Sequence, residues 1–433
     1  MPGSCRIDKF AYGAQVRSGD RRSFLAHSSC GPNHHQLLAK QATVGNCAVD
    51  PHYDPLDPAM LENPYPHYAR LREEHPIFWH EGMKSWVLTR YQDCRDVLRN
   101  HEVFARDRRR TGEEIPEFRQ SLQTLDPPAQ APMRSLIMNA FHAQDLPEVG
   151  LRARRRTAGI LGALAERDSF DLMREVAAPL ALSITADLLG VREPDPEDYA
   201  EISAAIAERM DAGLKPENAA RGDRARTRLN ALAEEWFADA DDRPGVLRDV
   251  KQRAVKADLP PHYISNSTGM MFNASYGTVY ATVGNVVLTL LQRPGLLEEF
   301  EDARLLTPGV NELIRYDGPA QGTSRVATRT VEIHGTTVRP GQIVLTLMAA
   351  ANRDPREFPH PDTLLLDRTP NRHLGFGWGT HACVGAVFGQ VAIRELIVCL
   401  LGAPGRLRLA GPPTRRPTAT VRSLDVLPVA IDR

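Results

Sequence analysis

One cysteine, Cys383, lies among glycines in residues 373–385, HLGFGWGTHACVG. The spacing of Gly375, Gly377 and Gly379 predicts a tight loop with unusual backbone angles that allows close approach to a flat partner. A helix is predicted directly after the cysteine, so its sulfur should lie near free backbone N–H groups that favour thiolate over thiol. Such a thiolate can be a nucleophile, a redox group or an axial ligand of haem iron, whereas the plain alternative is a buried structural cysteine.

The wider pattern F-G-x-G-x-H-x-C-x-G over residues 376–385 distinguishes these alternatives. It resembles, position for position, the haem-binding signature of the cytochrome P450 family. The resemblance implies a haem b cofactor with Cys383 as the fifth ligand of its iron. It also implies that Phe376 and Gly385 belong to the cofactor site and that His381 helps to anchor a propionate.

Two other stretches resemble propionate-binding parts of the family. In residues 126–134, DPPAQAPMR, the paired prolines can start a helix. Gln130 and Arg134 then lie four residues apart on one helix face, where they could hold a carboxylate. The family has a propionate-binding His or Gln and an Arg in this helix, although Pro132 replaces a basic residue of the usual pattern. Arg325 matches a further family arginine that binds a propionate.

A long helix is predicted over about residues 260–292, and its polar residues argue against a membrane span. Residues 274–278, ASYGT, resemble the oxygen-binding kink of the family's central helix, with Thr278 at the threonine position. Its hydroxyl could bond dioxygen and relay protons, or simply bond the preceding helical turn. Ser275 replaces the usual glycine and Gly277 the usual acid. The missing acid indicates water- or substrate-assisted proton delivery, or a reaction other than ordinary hydroxylation.

Glu312 and Arg315 are three residues apart in a helix predicted to begin at a Thr307-Pro308 cap, so they face the same side. They match the Glu-x-x-Arg motif of the family. The resemblance implies a buried structural lock and no part in catalysis.

The remaining pattern predicts a mainly α fold with a small β subdomain, and the resemblance makes this the cytochrome P450 fold. The basic run of residues 106–110, which contains Arg106, is interpreted as a solvated loop. Apolar residues after Cys383 outline a helix packed under the haem; they are Val387, Val391, Leu396 and Leu400. The other predicted elements are strands at 77–80 and 86–89, helices at 66–74, 91–100 and across 145–256, a small antiparallel sheet from 326–333 and 338–345, and a terminal hairpin at 418–429.

Composition restricts the class of protein further. The chain has 433 residues with 53 basic and 54 acidic side chains, so nucleic-acid or membrane-surface binding is not expected as its main activity. Its six cysteines show no disulfide framework, which favours a reducing cytoplasm. Residues 1–48 lack apolar periodicity and are predicted to be a disordered extension, followed by one haem-thiolate domain over residues 49–433.

The resemblance implies a soluble, monomeric monooxygenase that oxidises a small molecule or peptide with O₂ and with electrons from a ferredoxin and its reductase. Tailoring of a natural product is the favoured role. Two alternatives stay open. Gly277 favours atypical chemistry, such as oxidative coupling of aromatic or peptide groups, nitration or peroxide-driven oxidation. The other alternative is a non-catalytic accessory protein with the same fold.

Overall fold

The structure, a computed structural model, describes residues 52–255 and 259–432. The predicted extension at residues 1–48 lies outside the described residues, so the domain boundary near residue 49 stays a prediction.

Helices dominate the described chain. The α-helices are α1 (Pro58–Glu62), α2 (Tyr65–Glu74), α3 (Tyr91–Arg99), α4 (Gln130–His142), α5 (Leu146–Ala163), α6 (Ala178–Leu189), α7 (Pro196–Met210), α8 (Asn218–Ala238), α9 (Val246–Ala254), α10 (Pro261–Leu291), α11 (Leu296–Glu299), α12 (Leu306–Asp317), α13 (Met348–Ala351) and α14 (Ala386–Leu401). The strands are β1 (Ile77–His80), β2 (Ser85–Leu88), β3 (Phe104–Ala105), β4 (Ser169–Asp171), β5 (Thr323–Ala327), β6 (Val331–Ile333), β7 (Thr336–Val338), β8 (Ile343–Thr346), β9 (Arg406–Leu409), β10 (Thr414–Arg415), β11 (Leu424–Val426) and β12 (Pro428–Asp432).

Helix α10 forms the centre of the helical core. It begins at Pro261, where the missing N–H of proline costs nothing, and runs for 31 residues with packing against α6, α8, α12 and α14. Among the described helices it is the one that is long and apolar enough to cross a membrane, but 72% of its most apolar window is buried inside the protein. The predicted bounds and core position of this helix are therefore confirmed.

The main sheet has five strands in the order β1-β2-β8-β5-β3. Strands β2 and β8 run parallel, with Ser85 opposite Ile343, and the other neighbours are antiparallel. The predicted strand at 326–333 is wrong as one element, because β5 lies in this sheet whereas β6 pairs only with β7 in a separate hairpin. Period-two alternation identifies extended chain but does not say which partner each part pairs with.

The predicted hairpin at 418–429 is also wrong in its pairing. β11 pairs with β10, and β12 joins a three-stranded sheet in the order β4-β12-β9. The chain passes from one sheet to the other at Leu427, whose N–H donates to Asp171 and whose carbonyl accepts from Leu172. Both partners are far from Leu427 in sequence, so the local sequence pattern did not indicate that the chain changes sheets at this residue.

Thr307 does not cap α12, contrary to the prediction. A 3₁₀ turn at Ala303–Leu305 leads directly into the helix, and the carboxylate of Asp302 caps that turn by accepting from the Arg304 N–H. Asp302 is the stronger cap and starts the turn earlier, so Thr307 falls inside the first helical turn.

Glu312 and Arg315 on α12 form an ion pair with no exposed side-chain surface. The two carboxylate oxygens accept from Arg315 Nη2 and Nε at 2.7 Å each, and from Arg368 Nε at 3.0 and 3.1 Å. Arg315 Nη1 also donates to the carbonyls of Asn352 and Pro361, both at 2.9 Å. The cluster ties α12 to the segment that leads into the cysteine loop.

Replacing Glu312 by Gln should lower the free energy of unfolding by about 3–5 kcal/mol, because two buried guanidinium groups lose their counter-charge. Urea unfolding followed by circular dichroism measures the loss. Glu148→Gln is the matched control, since Glu148 pairs with Arg155 on the surface and should cost less than about 1 kcal/mol. Equally small losses in both variants would show that the buried cluster is not a lock.

Candidate active site

A cavity of about 400 Å³ lies between α10, α14 and the cysteine loop. Cys383 and Thr278 face it from opposite elements, and Gln130, Arg134 and Arg325 line its edge. The structure thus brings together residues that are up to 253 positions apart in the chain, namely Gln130 and Cys383 at the two extremes.

The loop before α14 takes the backbone conformation that its glycines predict. Gly377 and Gly379 have φ of 69° and 70°, the left-handed region that other residues avoid. The Cys383 N–H donates to the Phe376 carbonyl at 2.8 Å and closes the loop on itself. A side chain at Gly379 would place its Cβ 2.5 Å from the Leu98 carbonyl oxygen at the end of α3, so glycine is required there.

The expectation that the protein surroundings alone favour a Cys383 thiolate is wrong. Burial raises the pKa of the Cys383 thiol, and the Gly385 N–H and the charge of Arg134 only partly oppose this effect. Cys383 lies before the first turn of α14, which begins at Ala386, and burial is the larger effect on the pKa of its thiol. A coordinating metal ion would itself supply the charge that removes the thiol proton.

Residues of α4 face the cysteine loop as their four-residue spacing predicts. Gln130 Nε2 lies 3.1 Å from both the Thr380 carbonyl and His381 Nδ1. Arg134 Nη2 donates to the Ala382 carbonyl at 2.9 Å. Pro132 falls in the first turn of α4, where its missing N–H breaks no helical bond.

His381 is held in place from its other ring nitrogen. His381 Nε2 lies 2.9 Å from Asp126 Oδ1, a carboxylate that sequence reasoning missed. Burial lowers the pKa of His381, against the opposing pull of Asp126, and the charges of Arg325 and Arg106 lower it further. The ring is therefore a neutral hydrogen-bonding group in a cationic neighbourhood.

Arg325, on β5, is a buried cation at the cavity edge with 4% of its surface exposed. Its Nη1 donates to Thr323 Oγ1 at 3.2 Å and to the Ser324 carbonyl at 2.8 Å. No carboxylate in residues 52–255 or 259–432 forms an ion pair with it. Burial, followed by the charge of Arg106, lowers the pKa of Arg325 to about 9. A buried guanidinium of this kind requires an anion from elsewhere.

The basic run at 106–110 is only partly the solvated loop that was predicted. Arg109 pairs with Asp107 and is exposed, but Arg106 lines the cavity. The Arg106 Nη1 donates to Thr323 Oγ1 at 2.5 Å. The sequence signal was position, because Arg106 directly follows the short buried strand β3, whereas the other arginines of the run lie in the 3₁₀ turn Arg108–Thr111.

Thr278 projects into the cavity while its hydroxyl donates to the Ala274 carbonyl at 2.7 Å. Three residues earlier in α10, Ser275 Oγ lies 2.8 Å from Thr185 Oγ1 on α6. Gly277 faces α7, where an added Cβ would lie 3.6 Å from Ser203 Oγ. The position of the usual acid is therefore next to a hydroxyl.

Two glycines, one at the N-cap of α14 and one in its first turn, line the cavity wall. A Cβ added at Gly385 or Gly389 would find open space within 4 Å, so both positions leave room beside Cys383. Val387 is not part of the cavity wall, contrary to the prediction, and 50% of its surface is exposed. The neighbouring Phe388 takes that place.

These features fit a haem. Within the described parts of the chain, no group of three or more His, Cys, Asp or Glu residues is placed to hold a metal ion, so Cys383 would act as a single protein ligand. The open space at the two glycines leaves room for a flat macrocycle, and the buried charge of Arg325 matches a propionate. Sequence comparison agrees, because the cytochrome P450 family model matches residues 246–403.

Known relatives extend over most of the described chain. It is 30% identical over 367 residues to mycinamicin IV hydroxylase/epoxidase of Micromonospora griseorubida, covering 80% of this chain and 90% of that protein. It is 29% identical over 390 residues to the biotin biosynthesis cytochrome P450 of Bacillus subtilis (strain 168), covering 86% and 97%. Among solved structures, epothilone D-bound cytochrome P450epoK has a TM-score of 0.80 at 25% identity, covering 88% of this chain and 99% of that one.

Fold and site together define a haem-thiolate oxidoreductase of the monooxygenase type. The chain belongs to the cytochrome P450 family. The predicted fold class is confirmed, and the alternative of a non-catalytic accessory protein is set aside.

Gly379→Ala should lower the free energy of unfolding by more than about 1 kcal/mol, because alanine disfavours the left-handed angle and its Cβ meets the Leu98 carbonyl. Thermal and urea unfolding both report this loss. Gly162→Ala is the control, since Gly162 lies in α5 with open space around it and alanine should leave stability equal or slightly higher. A neutral Gly379→Ala would show that the loop does not depend on its contact with α3.

Proposed function

We propose that this cytochrome P450 binds haem b and oxidises a small organic intermediate in natural-product biosynthesis. The observation that carries the proposal is the joint placement around one cavity of the Cys383 sulfur, the open space at Gly385 and Gly389, and the buried Arg325, which has no ion-pair partner among the described residues. The bound haem supplies dioxygen activation. The side chains of this chain hold the cofactor, handle protons and bind the substrate.

The cofactor would be held at three places. Cys383 Sγ would hold the haem iron, with the Gly385 N–H donating to the sulfur, and Phe376 would pack beside it. Arg325 with His381 would bind one propionate, and Gln130 with Arg134, which lie on the same face of α4, would bind the other. Gln130 and Arg134 now donate to loop carbonyls and Arg325 donates to a threonine hydroxyl, and a charged acceptor offers each of these three a stronger hydrogen bond.

Thr278 is the proposed proton-handling group on the substrate side. Its hydroxyl faces the cavity and has the Ala274 carbonyl as acceptor, so Oγ1 can accept a second hydrogen bond from water or substrate. Gly277 supplies no carboxylate to replenish that proton. A water molecule that reaches the Ser203 hydroxyl would have to supply the proton in place of that carboxylate.

The substrate proposal comes from the relatives and from the wall of the cavity. Relatives include a mycinamicin hydroxylase/epoxidase and the PikC monooxygenase of Streptomyces venezuelae. The wall distant from Cys383 carries Leu122, Met270 and Met271, which suit an apolar molecule. The proposal also includes electron supply from a ferredoxin and its reductase, a cytoplasmic location and a monomeric state. Titration with candidate metabolites, followed by the shift of the haem absorption band, tests the substrate class.

A second candidate function rests on Gly277. With a hydroxyl where the usual acid would lie, peroxide-driven oxidation, oxidative coupling or nitration is favoured over ordinary hydroxylation. Peroxide-driven oxidation is tested by comparing the product formed with peroxide alone and the product formed with a ferredoxin system. Product that forms only with the ferredoxin system would exclude the peroxide-driven reaction.

Cys383→Ser should abolish the thiolate-type absorption band of the reduced carbon-monoxide complex, because serine cannot supply a thiolate ligand. The difference spectrum of the purified protein measures it. Cys399→Ser is the matched control, since Cys399 contacts the Arg154 carbonyl from α14 and should leave the band intact. A wild-type protein that binds haem without this band, or a band that survives in Cys383→Ser, contradicts the proposed ligand.

Thr278→Ala should increase several-fold the share of electrons that is lost as hydrogen peroxide, because the cavity loses its proton-handling hydroxyl. Peroxide release per NADPH oxidised, with a surrogate ferredoxin system, measures this share. Thr282→Ala is the control one turn further along α10, where the hydroxyl donates to the Thr278 carbonyl. An equal peroxide share in wild type and Thr278→Ala would show that protons come from water or substrate alone.

A further inference from the structure

Two arginines at the cavity edge share one hydroxyl group. Arg106 Nη1 and Arg325 Nη1 donate to Thr323 Oγ1 at 2.5 and 3.2 Å. Both side chains line the cavity. Two like charges held this close repel each other, and burial strengthens that repulsion because water no longer screens it.

The nearest protein carboxylate does not neutralise this pair. Asp126 Oδ1 pairs with His381, and Asp126 Oδ2 accepts from the backbone N–H groups of Arg106 and Asp107 at 2.9 Å each. Its contact with a guanidinium is to Arg110, at 3.4 Å. Burial, and then the charge of Arg108, lowers the pKa of the Arg106 guanidinium. The edge of the cavity therefore carries excess positive charge that an anion would stabilise.

We propose that Arg106 is a further positioning residue of this enzyme and binds a haem propionate beside Arg325. The inference rests on the proposed haem site and extends it to a residue of the loop after β3. Arg106 lies on the cofactor side because its backbone N–H and the His381 ring bond the two oxygens of the same Asp126 carboxylate. Its remaining guanidinium bond goes to the Gln123 carbonyl at 3.0 Å, which leaves donors for a carboxylate.

The first test is haem retention. Transfer of haem to excess apomyoglobin should be about tenfold faster from Arg106→Gln than from wild type, the effect of losing one charge-assisted hydrogen bond. The haem reduction potential should also fall, because removing a positive charge favours the ferric state. Arg108→Gln is the matched control, since Arg108 belongs to the same run but pairs with Glu113 at the surface and should change the rate less than twofold.

A cofactor lacking free carboxylates separates binding from packing. With iron protoporphyrin IX dimethyl ester in place of haem, Arg106→Gln and wild type should lose the cofactor at rates within twofold of each other. An equal acceleration with both cofactors would assign Arg106 to packing and overturn the proposal. Should Arg106→Gln not fold, Arg106→Lys carries the same comparison, with a smaller acceleration expected for haem and none for the ester.

A carboxylate on the substrate is the remaining source of an anion. Dodecanoate titration of haem-loaded wild type and Arg106→Gln tests it. Weaker dodecanoate binding with an unchanged haem transfer rate would place Arg106 in the substrate site and overturn the proposal. Wild-type protein that binds no haem would instead refute the proposed function itself. If wild-type protein binds haem and Arg106→Gln transfers it to apomyoglobin at the same rate, only this inference is refuted.

Discussion

One buried carboxylate, that of Glu312, determines where the cysteine loop can lie. It accepts from Arg315 on its own helix and from Arg368 in the segment that follows, and Asn371 Nδ2 donates to it at 3.1 Å just before the loop begins. Both cations depend on this one anion, so loss of the Glu312 carboxylate would leave two buried guanidinium groups without a counter-charge. The loop is thereby fixed to α12, and α12 packs on α10 and α14.

The electrostatics of the cavity follow a different rule from those of the lock. In the lock every charge has a partner, whereas Arg106, Arg134 and Arg325 line the cavity and the nearby carboxylate of Asp126 bonds His381 and backbone N–H groups. Isolated buried cations are costly, and proteins keep them where a ligand supplies the opposite charge. The ion cluster around Glu312 therefore stabilises the fold, whereas the charges at the cavity edge suit the binding of an anionic ligand.

Sequence predicted those features whose physical cause is local. Positive φ at Gly377 and Gly379 follows from the glycines themselves, and the start of α10 follows from Pro260-Pro261. The strand exchange at Leu427, the position of Arg106 at the cavity and the raised pKa of the Cys383 thiol were missed. Each depends on a partner far away in the chain or on how deeply a group is buried, and neither quantity can be read from neighbouring residues. The family resemblance supplied the haem and its ligand, but not the charge balance around the site.

Helix α10 is apolar on nearly every side, and several of its packing partners, α12, α14 and β11, are encoded after it. During synthesis this helix leaves the ribosome about a hundred residues before α14, which at about 5–20 residues per second means seconds of exposed apolar surface. The nascent chain must therefore be shielded by its earlier helices or by chaperones until the C-terminal part emerges. Slower translation would lengthen that exposure, so yield of soluble protein in a foreign host depends on how chaperone supply and translation speed are matched.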